Sequence, residues 1–427
     1  MKAFLKSLLF GFVLLLLLCA CARREETPAA PEPEPPDAGM ILPAVPDMEP
    51  GASAAPDPRP EAEPEPELES DPRELAVETL LASMTLEEKV GQMFFVRCPA
   101  VNAKEKISAY RLGGYLLFTR DFKDIFGGWL TAEAFMSRLD SYQEASAIPL
   151  FIGVDEEGGA VVRASRNPNL FKEKCKSPQK LFAENKWTAI GDDAIYKNRD
   201  LLSYGINVNF APVADVSTDP ADFIYDRAFG QDAKMTAVYV EFVVSEAGKA
   251  AVRDIQDGTP DGPLYHIGCV LKHFPGYGNN ADTHTGIAID ERPYEQFAAE
   301  DFLPFQAGIK AGAGAVLVSH NVVKCMDENF PASLSPEVHR ILREELGFEG
   351  VILTDDLAMN AVKAYAKDGS AAVLAVLAGN DMIVTTDFET QIPLVIDAIQ
   401  TGIIQESTVD AAVRRVLGWK YDLGLIQ

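Results

Sequence analysis

The 427-residue sequence predicts a (β/α)8 TIM-type barrel, a single folded domain that follows a signal peptide and a disordered linker. Three observations predict it. Eight apolar segments of strand length alternate with helix-like stretches over residues 76–427. These segments are apolar continuously rather than at every second position, as in a parallel sheet covered on both faces. Polar residues follow directly on the apolar runs, and in a barrel such strand ends converge on one rim. A doubly wound open sheet shares the first two features, because hydrophobic periodicity carries no information about closure.

The folded part opens on Thr85-Leu86-Glu87-Glu88, a capping box in which the threonine hydroxyl and Glu88 satisfy each other's free backbone amides. The strands expected after it are Val90–Cys98, Gly114–Phe118, Pro149–Val154, Val208–Val213, Ile267–Leu271, Ala315–Ser319, Val351–Leu353 and Asp381–Val384. Asp155, Asp215, Lys272-His273, His320-Asn321 and Asp355-Asp356 stand at their ends. Ala361–Leu377, rich in Ala, Val and Leu, is expected as one covering helix.

The N-terminus reads as an export signal over residues 1–20. Lys2 and Lys6 precede an apolar run, Leu8 to Leu18, too short for a typical spanning helix. Leu18-Cys19-Ala20-Cys21 resembles a bacterial lipobox, with Cys21 as the acylated residue. Acyl chains gain about 0.8 kcal/mol per buried CH₂, so several on one cysteine anchor stably. Residues 22–75 then hold 14 of the 28 prolines and 15 acidic against 4 basic side chains. That composition buries too little apolar surface to fold, so residues 21–75 are expected to form an extended tether. The formal charge of −26 argues against nucleic acid as a partner. Cys98, Cys175, Cys269 and Cys325 contain no Cys-x-x-Cys pair, so neither a metal nor a redox site is expected from them.

Three segments carry chemistry. In Lys272-His273-Phe274-Pro275-Gly276-Tyr277-Gly278-Asn279-Asn280-Ala281-Asp282-Thr283-His284 a strand ends at Lys272 and a Gly/Asn-rich loop follows. An aspartate beside a histidine can fix its tautomer and leave the other ring nitrogen for proton transfer. Asp-x-His alone fits a surface pair or a metal site equally well. In Gly350-Val351-Ile352-Leu353-Thr354-Asp355-Asp356 an apolar strand runs into two carboxylates. Neighbouring side chains diverge there, so one acid is a candidate nucleophile and the other a partner for backbone or a basic group. A pair of helix N-cap acids is the competing reading. Gly153-Val154-Asp155-Glu156-Glu157-Gly158-Gly159, followed by Arg163, suits a hydroxyl-rich ligand and lacks the ligand spacing of a calcium loop.

Together these segments resemble glycoside hydrolase family 3, in its β-N-acetylhexosaminidase branch. The pattern there is close to K-H-F-P-G-H-G-x-x-x-x-D-S-H, followed by S/T-D-D/A-L-x-M on the nucleophile strand. The likeness runs from Leu86 to Leu425 and includes Asn209-Phe210-Ala211-Pro212-Val213-Ala214-Asp215 and Pro331-Ala332-Ser333-Leu334-Ser335. It implies Asp355 as nucleophile, His284 as general acid/base and Asp282 as its orienting partner. Asp155, Arg163, Arg227, Lys272 and His273 match the residues that grip the terminal sugar. Tyr277 stands where the family usually has His, Asn279-Asn280 replace Asp-Thr, and Thr283 replaces Ser.

The resemblance implies retaining hydrolysis of terminal β-N-acetylhexosamine with no cofactor and no metal. The expected substrate is an oligosaccharide, best a peptidoglycan fragment, met by a lipid-anchored protein of a bacterial envelope. Two alternatives remain at this level. A glycosyl phosphorylase would replace water by phosphate in the second step, and a cell-wall sugar-binding lipoprotein would not cut at all.

Overall fold

The computed structural model describes residues 71–253, 264–283, 286–366 and 369–427. The signal peptide, Cys21 and the tether up to residue 70 lie outside the described residues, as does His284.

The eight expected apolar segments supply eight parallel strands. We number them β1 (Phe94–Arg97), β2 (Gly114–Leu117), β3 (Phe151–Val154), β4 (Val208–Asn209), β5 (Gly268–Phe274), β6 (Ala315–Val318), β7 (Val351–Thr354) and β8 (Ile383–Thr385). From β1 to β7 each strand pairs in parallel with the next, and β1 also pairs with β8. A parallel bridge between Leu353 and Met382 joins β7 to the segment entering β8 and brings the cylinder nearly to closure. Thr354 N donates to Met382 O at 3.2 Å, and Val384 N donates to Thr354 Oγ1 at 3.0 Å. The open sheet is therefore set aside.

Side chains from all eight strands fill the cylinder. Phe95, Leu116, Phe151, Val208, Phe210, Val270, Leu317, Leu353 and Val384 form one buried cluster. The C-terminal helix (Glu406–Asp422) closes the end away from the strand C-termini, adding Val416, Trp419 and Leu423 to the same cluster. The Trp419 ring lies 4.6 Å from that of Phe151. Gly314, just before β6, makes this possible, because a Cβ there would sit 2.1 Å from Trp419 Nε1. Lys420, wholly buried, donates to Gln92 Oε1 and to the Pro149 carbonyl, each at 2.6 Å.

Three expectations move. Val90 belongs to a short helix, Leu86–Gln92, which the capping box starts, so the first strand begins later than expected. Ala361–Leu377 is not one helix: Asn360–Lys363 and Ala371–Ala378 are separate, and Gly369 takes a positive φ of 85° between them. The boundary expected at residue 75 falls inside a helix, Pro72–Ser83, capped by the Asp71 side chain on Arg73 N. Proline at the first helical position is pre-set for that start. This helix buries Val77 and Leu81 and lies antiparallel along the C-terminal helix, with Arg73 on Asp422 at 2.7 Å and Arg414 on Glu78. Among the described residues no helix is long and apolar enough to cross a membrane.

A protein starting at Asp71 is expected to keep the full thermal stability of the folded domain. Starting at Met84 removes two buried aliphatic side chains, each worth about 1.5–3 kcal/mol. A thermal melt of the two truncations measures the difference, and equal Tm values would show the first helix to be dispensable.

Candidate active site

Three acids in a row leave β3, and each takes a different task. Asp155 accepts from Lys272 Nζ at 2.7 Å and from Arg163 Nη2 at 3.4 Å. Glu156 turns into the protein, where its carboxylate receives the amides of Arg163 (2.8 Å), Ala164 (2.7 Å) and Ser165 (3.3 Å) together with the Ser165 hydroxyl. It holds the loop that carries Arg163. Glu157 accepts from Lys272 Nζ at 2.6 Å and from Arg227 at 2.9 and 2.7 Å in a two-pronged pair. Its side chain is 1% exposed. Burial alone would raise this carboxyl, but Arg227 and Lys272 outweigh it and hold the pKa well below the carboxylate range. Burial likewise opposes the charge on Arg227, and Glu157 more than restores it.

Lys272 and His273 were expected just after a strand, yet β5 runs on through both to Phe274. Neighbouring strand ends meet their polar groups, which is why they fit inside a buried strand. The His273 ring tautomer follows from its partners. Arg227 Nη2 lies 3.0 Å from Nε2, and a guanidinium only donates, so Nε2 accepts. Nδ1 then carries the proton and donates to Asp215 Oδ2 at 2.7 Å. Asp215, fully buried, also accepts the amides of His273 at 3.1 Å and Tyr277 at 2.8 Å.

The remaining candidates stand on β7 and on the loop after β5. Asp355 follows β7 directly, and its amide donates to Val318 O at 3.0 Å. The Asp356 side chain turns away from the strand axis, accepting Ala358 N at 2.9 Å and the Thr386 hydroxyl at 3.0 Å. The Asp356 carbonyl accepts from His320 Nε2 at 3.1 Å, which leaves His320 Nδ1 to accept from Ser333 Oγ at 2.7 Å. Both adjacent acids accept hydrogen bonds: Asp355 Oδ1 takes the Asp356 amide at 2.8 Å, and the Asp356 carboxylate takes the Ala358 amide and the Thr386 hydroxyl. Burial, with the Asp355 and Asp215 charges behind it, pushes the Tyr277 phenol up to about 12. Asp282 is half-buried, and the next residue, Thr283, is buried.

The structure therefore brings Asp155, Arg163, Arg227, Lys272 and His273 into one network of ion pairs and hydrogen bonds. Three cations face two carboxylates there, an arrangement rich in both donors and acceptors for a polyhydroxylated ligand. Sequence reasoning gave no role to Glu157, Glu156 or Asp215. A signal for Glu157 existed: three basic residues assigned to one pocket with only Asp155 to balance them require a second acid.

Residues 85–418 match the Glycosyl hydrolase family 3 N terminal domain. The chain belongs to glycoside hydrolase family 3. It is 30% identical over 354 residues to Beta-hexosaminidase LpqI of Mycobacterium tuberculosis, covering 79% of this chain and 84% of that protein. The solved LpqI structure superposes with a TM-score of 0.67 at 27% identity, over 80% of this chain and 95% of that one. A family 3 beta-N-acetylglucosaminidase from Paenibacillus sp. str. FPU-7 gives a TM-score of 0.69 at 28% identity, over 80% of this chain and 63% of that one. Beta-hexosaminidase A of Pseudoalteromonas piscicida is 28% identical over 352 residues, covering 75% of this chain; the match spans only 55% of that relative's length. This family 3 member is a glycoside hydrolase built on the family's barrel.

Glu157→Gln is expected to destabilise the protein by about 3–5 kcal/mol, because it leaves Lys272 and Arg227 buried with half their counter-charge. Urea unfolding measures it. A loss below about 1 kcal/mol, the scale of an exposed pair, would mean that water compensates the two cations.

Proposed function

We propose that this protein removes terminal β-N-acetylhexosamine units, N-acetylglucosamine foremost, from sugar chains with retention of configuration. The observation that carries the reading is the convergence of Asp155, Arg163, Arg227, Lys272 and His273 in one network beside the rim that bears Asp355. The relatives' printed activities, beta-hexosaminidase and beta-N-acetylglucosaminidase, support it.

In this mechanism the network grips the hydroxyls of the terminal sugar. Asp155 accepts from them, and Lys272 and Arg163 donate. Asp355 attacks the anomeric carbon while His284 protonates the departing oxygen, breaking the glycosidic bond and forming a glycosyl-enzyme ester. His284, now neutral, removes a proton from water, the water oxygen attacks the same carbon, and Asp355 leaves as a carboxylate. Two inversions give retention. Asp282 orients the imidazole, and histidine as a residue type passes protons in both directions near neutral pH. We further propose that residues 1–20 are a signal peptide, that Cys21 carries lipid, and that residues 21–70 tether the barrel to a bacterial envelope membrane. Peptidoglycan-derived fragments are the substrate that fits such a location.

Asp355→Asn is expected to abolish turnover of a chromogenic N-acetylglucosaminide with Tm unchanged, since the amide is the same shape but does not attack. A mechanism-based fluorosugar should label Asp355, read by peptide mass mapping; label on Asp356 would overturn the assignment.

His284→Ala is expected to slow substrates with poor leaving groups far more than activated aryl glycosides, by a factor within the roughly 10²–10⁴ of general acid catalysis. Aryl glycosides should give a burst of released phenol, because deglycosylation still lacks its base, and azide, which needs no base, should restore turnover. Equal losses on both substrates without rescue would assign His284 to binding alone.

A further inference from the structure

The loop after β5 contains the sequence's departures from the family pattern, and two of them touch each other. The Tyr277 phenol lies 2.7 Å from Thr283 Oγ1 and accepts the Thr283 amide at 3.1 Å. Both residues are buried, Tyr277 at 2% exposure and Thr283 at 0%. Two hydrogen bonds made away from water, with no exposed group to compete, define a single loop geometry. Thr283 is the residue between Asp282 and His284. Holding its amide and hydroxyl restrains the backbone that joins Asp282 to Thr283.

The near end of this latch is itself held. The Tyr277 amide donates to Asp215 Oδ1, and Asp215 Oδ2 receives the proton of His273 Nδ1. The Tyr277 ring packs edge-on against His273 at 5.6 Å and lies tilted against Phe223 at 5.6 Å. Asn280 closes the middle of the loop, donating to Tyr277 O at 2.9 Å and to Asp290 Oδ2 at 2.6 Å. Gly276, at φ 124°, approaches Asp301 so closely that a Cβ would lie 2.2 Å from its Oδ1. One chain of contacts thus runs from the sugar-gripping His273, through Asp215 and Tyr277, to Thr283.

We propose that Tyr277 is a positioning residue for the acid/base loop: its buried phenol, held on Asp215 and clasped to Thr283, fixes the Asp282–Thr283 backbone that leads in sequence to the proposed proton carrier. The inference rests on the reading of His284 as the proton carrier. Tyrosine and threonine act as a pair, because the phenol reaches across the loop to a hydroxyl and an amide at once.

The test is a double-mutant cycle of Tyr277→Phe and Thr283→Val in the full chain, with His284→Ala alongside. Tyr277→Phe is expected to lower kcat on a poor-leaving-group disaccharide about 10–100-fold, the scale of a misplaced catalytic group. It should leave KM within about 3-fold and affect an activated aryl glycoside far less. Thr283→Val, which keeps the amide bond and removes only the hydroxyl, should lose less in the same direction. The double variant should lose little more than Tyr277→Phe, and Thr283→Ser should restore the wild-type ratio of the two substrates. Should Tyr277→Phe fail to fold, Thr283→Val and Thr283→Ser carry the test alone. If His284→Ala discriminates between the substrates but the latch variants lose activity on both equally, or additively, the latch is overturned and the acid/base reading stands. If His284→Ala itself does not discriminate, both fall.

Discussion

A carboxylate as deeply buried as that of Glu157 persists in its charged form only if cations are brought to it, and the site is arranged around that requirement. Lys272 reaches it from β5 and Arg227 from the loop after β4, while Glu157 itself follows β3. Three strands that are neighbours in the barrel are thereby joined at their C-terminal ends by charge as well as by their ladders. Lys272 is shared with Asp155, and Arg227 with His273, so the same two cations present the groups proposed to hold the sugar. The attraction works at short range in a dry setting, where Coulomb forces are least screened. Because Arg227 only donates, it also dictates the ring tautomer of His273, and through it the donor that Asp215 receives.

The opposite end of the barrel answers a different need. Closed parallel strands leave an apolar mouth, and the C-terminal helix fills it with Trp419 rather than leaving a void. An indole of that size enters only because Gly314 has no side chain where the ring passes. Close packing at this end keeps the strands in register, and strand register decides which residues reach the rim. The chemistry at one end thus depends on apolar filling at the other.

Much of this was legible in the sequence. The strands declared themselves because continuous apolar runs mean two-sided burial, and Asp355, Lys272 and Asp155 stood where the runs stopped. The errors have local physical causes. β5 extends through Lys272 and His273 because their polar atoms are met by Glu157, Asp155 and Asp215 from elsewhere in the chain, which no window around residue 272 contains. Val90 falls in a helix because the cap at Thr85 outweighs its β-branched preference. Pro72 was counted with the prolines of the preceding segment, although after Asp71 it is a helix start. The role of Glu157 is not legible in its own segment, since burial is a property of the fold and not of the letter.

The first helix has a mechanical consequence. It lies antiparallel along the C-terminal helix, held by Arg73–Asp422, by Arg414–Glu78 and by the burial of Val77 and Leu81. A pull along the axis of the first helix would load these contacts in shear, all together, rather than peeling them one by one. The force passes into the helix that bears Trp419, at the end of the barrel remote from the rim. Force applied to the first helix is thus taken up at the floor of the barrel, while the strand ends that hold Lys272, His273 and Asp355 lie off its path.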